Sequence, residues 1–156
     1  MSEPRFLVLA GIDDLTLAFD VSQVREVLTD AQVAPVPLAP QHVRGLTNLR
    51  GEVLTVVDGR TLLERPPNPD VAHETHLVLM HDGLAQSLIV DEVRDVVRID
   101  AAKPLPLPPG LAPAVRARAR GLCRSADGLV LLVDAAQVQE RTRNWGNSPA
   151  PSQEGR

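Results

Sequence analysis

Two Asp-Gly dipeptides, Asp82-Gly83 and Asp127-Gly128, each stand between short runs of β-favouring residues. A two-residue turn between antiparallel strands needs positive φ at both central positions, which aspartate tolerates and glycine adopts freely. Residues 77–80 and 84–90 therefore read as one hairpin, and 118–124 and 129–134 as another. The remaining chain follows the same pattern. Residues 6–10 are an apolar run that suits a buried strand. After Asp13-Asp14, Leu15, Leu17 and Phe19 alternate with Thr16, Ala18 and Asp20. Residues 52–58 form another strand, and Val93, Val96, Val97 and Ile99 suggest one with a bulge. Valine and leucine dominate the apolar residues, against two Phe, one Trp and no Tyr, so the expected core is aliphatic and pleated.

Helical signals are short. Asp20 followed by Gln23 resembles a capping box, and Val21, Val24 and Leu28 recur three and four residues apart, which predicts an amphipathic helix over 21–28. Residues 41–46 could form one helical turn. Asn48 to Gly51 reads as a turn with glycine available for positive φ. Asp134 can cap a final helix of about eight residues. Pro35, Pro37 and Pro40 make an extended connection, and residues 103–113 a proline-rich surface loop. The clearest internal linker is 64–74, with Pro66, Pro67 and Pro69. About eight to ten short strands with hairpin signals imply a sandwich or barrel, and the spacing suggests two small barrels divided near that linker. No internal repeat points to a solenoid or propeller. A small, polar tail over 146–156 is expected to be disordered.

Several kinds of chemistry are disfavoured. The 156 residues carry a net charge of −4 with scattered basic residues, and the lack of aromatics leaves no base-stacking platform, so no nucleic-acid partner is expected. No apolar run has the length of a membrane span or a signal-peptide core, so direct membrane insertion is not expected. A single cysteine, Cys123, cannot form an internal disulfide and reads as a core residue in a reducing, cytosolic protein. His73-Glu74-Thr75-His76 is one residue short of the zinc helix motif, whose histidines stand at i and i+4. The different-class alternative is a small metal protein or enzyme using His73, His76 and His81. A ligand-binding barrel is a weaker one, given the few aromatics. Asp91-Glu92 and Asp95 read as a solvated, charged turn. No catalytic group, cofactor or metal site is assigned. What remains is a surface, apolar at its centre with arginine at its edge, and Arg50 between Leu49 and the 53–57 strand is the candidate.

The stretch Gly45-Leu46-Thr47-Asn48-Leu49-Arg50-Gly51-Glu52-Val53-Leu54-Thr55-Val56-Val57-Asp58-Gly59-Arg60 resembles the signature of CheW-like domains, roughly G-[LIV]-x-N-[LV]-R-G-x-[LIV]-[LIV]-P-[LIV]-[LIV]-D-L-R. The likeness extends over about residues 5–143, from the family's opening strand, strand and helix at 6–9 and 17–28 to the closing strand at 129–134 and its helix. It implies an all-β fold with a few short helices, built as two packed five-stranded SH3-like barrels on a shared core. The first would span about 5–64 plus the C-terminal helix, and the second about 74–134. It also implies a cytoplasmic, non-enzymatic adaptor, recruited to receptor clusters, that couples the cytoplasmic tip of a methyl-accepting chemoreceptor to the regulatory domain of a CheA-type histidine kinase. The positions matching the family's receptor-contacting residues are Val24, Glu26 and Arg50, where Glu26 and Arg50 could form an ion pair. Gly45 and Gly51 match its structural glycines. No comparably sharp motif marks a kinase-binding surface. Thr55 replaces the usual proline and Gly59 the usual leucine, a change expected to loosen the strand end. These departures raise the alternative of a divergent adaptor with one partner surface, acting in a non-chemotactic pathway.

Overall fold

Alternating apolar side chains become strands almost throughout. A computed structural model describes residues 4–100, 104–126, 128–140 and 142. Its ten strands are β1 (Pro4–Ile12), β2 (Leu15–Asp20), β3 (Val24–Leu28), β4 (Val43–Leu49), β5 (Glu52–Asp58), β6 (Thr75–His81), β7 (Leu84–Val90), β8 (Glu92–Asp100), β9 (Ala119–Ser125) and β10 (Gly128–Val133). Three short helices accompany them: α1 (Gly59–Leu62), α2 (Pro113–Arg118) and α3 (Ala135–Gln139). The 146–156 tail lies outside the described residues.

The strands form two five-stranded sheets, ordered β8-β1-β2-β10-β9 and β3-β6-β7-β5-β4. Each curls without closing, since no ladder joins its first strand to its last among the described residues. The expected division near 64–74 is not the one observed. Strands from the first half enter both sheets, because β2 pairs in parallel with β10 and β5 with β7. Such pairings join strands far apart in sequence, and local periodicity carries no signal for them.

Both faces of each sheet are covered. Leu7, Leu9, Ala18, Cys123 and Val130 fill the inner face of the first, and Leu54, Val78 and Ala85 that of the second. The opposite faces meet in a shared core of Val8, Phe19, Val57, Leu77, Leu79, Leu88 and neighbours. α3 crosses between the sheets: Ala135 and Val138 enter the shared core, and Gln139 Nε2 donates to the Leu84 carbonyl at 3.0 Å.

The Asp82-Gly83 turn has φ of 50° and 76° and joins paired His81 and Leu84, as its sequence predicts. Asp127 lies outside the described residues, but Ser125 pairs with Gly128, so Gly128 opens β10 instead of standing at a central turn position as its sequence suggests. The bulge in β8 appears as a register shift against β1 between Val8 and Ala10.

The helix expected over 21–28 is instead a 3₁₀ turn, Val21–Gln23, followed by β3. β-branched valines favour the pleated alternative once β6 offers a partner. The Asp20 half of the capping box forms, with Oδ1 accepting from Ser22 N at 2.9 Å. Gln23 turns away to α3, donating to Asp134 Oδ1 and accepting from Ala135 N, each at 3.0 Å. Asp134 also caps α3 through Ala136 N. The helical turn expected at 41–46 gives way to β4, held by β5 on one side and by an Ala34–Leu46 bridge on the other.

Candidate functional site

The site grows from the turn between β4 and β5. Leu49 pairs with Glu52, which leaves Arg50 and Gly51 as the two-residue tip, with φ of 51° and 86°. This is the geometry of a turn that prefers asparagine or glycine at its first central position. Asn48 Oδ1 accepts from Gly51 N at 2.9 Å and steadies the loop from inside. Arginine therefore occupies a conformation it pays to adopt, at the most exposed point of the hairpin.

That placement sends the Arg50 side chain across the open seam of the sheet. Nη2 donates to Glu26 Oε2 on β3. Beside it, Arg25 Nη1 on β3 donates to Glu52 Oε2 on β5 at 2.7 Å. The two pairs run in opposite senses and tie the edge strand β3 to the tip of the β4–β5 hairpin. Glu26 raises the Arg50 guanidinium above its ordinary value by hydrogen bonding and by charge. Arg50 keeps 66% of its side-chain surface and Glu26 22%, so the arginine can meet a second group while paired.

Val24 lies two residues before Glu26, but a register shift against β6 falls between them, so Val24 opposes Leu79 on the shared-core face and Glu26 opposes Val78 on the other. Val24 packs against the shared core, half-buried. It joins the core to the seam rather than standing free. The exposed apolar residues around the pair are Val27 and Val53. A groove of about 810 Å³ runs along the seam, lined by Val27, Leu28, Ala34, Leu46 and Leu49, the last next in sequence to Arg50. Gly45 sets how closely its walls approach, since a Cβ there would lie 2.2 Å from the Ala34 carbonyl oxygen. Gly51 has open space around it, and its demand is the positive φ.

Elsewhere the structure revises several expectations. His76, a candidate ligand of the metal alternative, is a buried strand residue. It is 4% exposed in β6, with Nδ1 3.0 Å from Ser87 Oγ, and burial pushes its pKa down. His73 lies in the open beside Asp70, and His81 beside Asp82, so the three do not converge. No group of three or more metal-ligating side chains is arranged to hold an ion among the described residues. Asp91 is not a loose turn carboxylate. Arg60 grips it at 2.9 and 2.7 Å, and that hydrogen bonding holds its pKa below the ordinary range. Gly59 does not loosen the end of β5. It opens α1, capped by Asp58 Oδ1 on Thr61 N, and a Cβ there would lie 2.3 Å from the Ile89 carbonyl oxygen. Thr55 stays within β5, paired on both sides.

Arg44 was not foreseen at all. It bridges Asp58 at 2.6 Å and Glu74 at 3.0 Å, pinning the start of β6 to β4 and β5. Its partners are 14 and 30 residues away, and no local spacing announces them.

Comparison with known proteins follows this geometry. A family model described as CheW-like domain matches residues 7–142. The chain is 29% identical over 135 residues to a protein named Chemotaxis protein CheW from Rhizobium meliloti (strain 1021), covering 86% of each. Its identity to Chemotaxis protein CheW of Bacillus subtilis (strain 168) is 25% over 144 residues, covering 92% of each. A crystal structure of the scaffolding protein TtCheW from Thermoanaerobacter tengcongensis superposes with a TM-score of 0.76 at 24% identity, over 84% of this chain and 89% of that one.

Proposed function

The chain belongs to the CheW-like domain family, and from that premise we propose that it is a non-enzymatic adaptor coupling a chemoreceptor to a CheA-type histidine kinase. The receptor's methyl-accepting cytoplasmic tip would meet the side of the molecule that carries Val24, Glu26 and Arg50, and the kinase's regulatory domain a second surface. The observation that carries this reading is the Glu26–Arg50 pair. It holds an exposed arginine next to a groove of mixed lining that includes Val27, Leu28, Leu46 and Leu49, on a turn whose backbone would be easier to build with another residue. A helical hairpin laid in such a groove would cover the exposed Val27 and give Arg50 a polar partner at the rim. Two surfaces on one rigid body let the adaptor act through geometry, each contact raising the effective concentration of the other partner. No helix among the described residues is long and apolar enough to cross a membrane, and the adaptor reading places the chain in the cytoplasm, recruited to receptor clusters.

The test is a pair of titrations of the purified chain, one with a receptor signalling tip and one with the kinase regulatory domain. Binding of both at micromolar concentration is expected. Arg50→Ala should weaken the receptor titration at least about tenfold, the loss of one well-placed charged contact, and leave the kinase titration unchanged. If neither partner binds, the reading fails. Binding of the kinase alone would instead favour an adaptor with one partner surface.

A further inference from the structure

β7 ends at Val90 and β8 begins at Glu92, so the chain passes from the second sheet to the first through one residue, Asp91. So short a crossover is where a change in angle between the sheets would be absorbed, because few dihedrals need turn. Here it is gripped from both sheets. On the side of the first sheet, Asp91 N donates to the Gly11 carbonyl at 2.9 Å, and Asp13 N donates to Asp91 Oδ2 at 2.7 Å. On the side of the second sheet, Arg60 Nε donates to Asp91 Oδ1 at 2.9 Å and Nη2 to Oδ2 at 2.7 Å. Arg60 Nη1 donates to the Pro66 carbonyl at 2.8 Å, so the guanidinium is itself held in place. The two side chains keep only 15% and 23% of their surface.

This fork forms only if α1 lies close against the end of β7, and Gly59 permits that approach. A Cβ at position 59 would lie 2.3 Å from the Ile89 carbonyl oxygen and 2.7 Å from Ile12 Cδ1. Ile89 precedes the crossover by two residues, and Ile12 precedes Asp13.

We propose that Arg60 and Asp91 lock the one-residue crossover between the two sheets, with Gly59 admitting α1 closely enough for the fork to form, so that the sheets keep one relative angle. A planar guanidinium meeting both carboxylate oxygens fixes orientation as well as distance, whereas a lysine would supply charge alone. The lock is a property of the isolated chain and does not depend on the adaptor reading.

Nitroxide labels at Val53 on β5 and Leu129 on β10, both exposed, report the angle through pulsed dipolar distance measurements. They are attached through cysteines in a Cys123→Ser background. The parent should give one narrow distance distribution. Arg60→Lys and Gly59→Ala should each at least double its width, roughly, while far-UV circular dichroism keeps the β-sheet signal. Asp91→Asn takes the place of either variant that fails to fold. A parent width retained in a folded variant, or a broad distribution in the parent, overturns the proposal. So does loss of the β-sheet signal in all three variants, which would make the fork a requirement of folding rather than a lock.

Discussion

Arg50 shows how one residue can trade backbone comfort for position. Its φ of 51° suits asparagine better than arginine, so Arg50→Asn should raise the urea midpoint even though the Glu26 pair is lost. The same variant should fail to hold a receptor tip. A lower midpoint would mean that the pair outweighs the backbone term. Strain kept at an exposed position is best explained by a partner that uses it. Gly59 makes a different point. In sequence it departs from the family pattern and reads as a weakness at the end of a strand, yet it is where α1 comes close against the Ile89 carbonyl of β7. Nothing local distinguishes a glycine that loosens a chain from one that lets two backbones meet.

At the scale of elements, β4 depends on a narrow seam. Gly45→Ala would drive a methyl group into the Ala34 carbonyl and break the Ala34–Leu46 bridge, at a cost of about 1–3 kcal/mol in urea unfolding. The groove should widen with it, so receptor binding should fall without any change at Arg50. β6 and β7 hold one pH-responsive group. His76 is buried between them against Ser87. Burial lowers its pKa, Glu74 opposes the shift and Arg44 adds to it. The unfolded chain then takes up a proton before the folded one does. His76 therefore leaves stability intact above its unfolded pKa of about 6.5 and lowers it as the pH falls below that value. The urea midpoint should drop between about pH 7.5 and 5.5, and His76→Gln should flatten that part of the curve. An unchanged slope in the variant would assign the response to other groups. The hairpin turns were legible in sequence because a two-residue turn is a local demand. The 21–28 segment fits a helix as well as a strand because the two patterns overlap in so short a run, and pairing with β6 decides between them.

Each sheet takes strands from both halves of the chain, so the molecule should unfold as one unit. Leu88→Ala, in the core between the sheets, should cost about 2–5 kcal/mol and lower both sheets together in a single transition. Fragments cut at residue 70 should each stay unfolded when alone, since each would lack partners for several of its strands. A folded fragment 71–156 would show that the interleaving matters less than the local hairpins do.

By itself the sequence determined what is local: a β architecture, two Asp-Gly hairpins, an aliphatic core, the turn carrying Arg50, and a signature that identifies the family. Those features follow from φ preference, alternation and spacing, which act over a few residues. Only the tertiary structure decided which strands share a sheet, that Glu26 faces Arg50 from 24 residues away, and that Arg60 closes on Asp91 from 31. Alternation sets the face a side chain takes but not the strand that covers it, and distant charges choose one another only after parallel pairing has assembled the sheets.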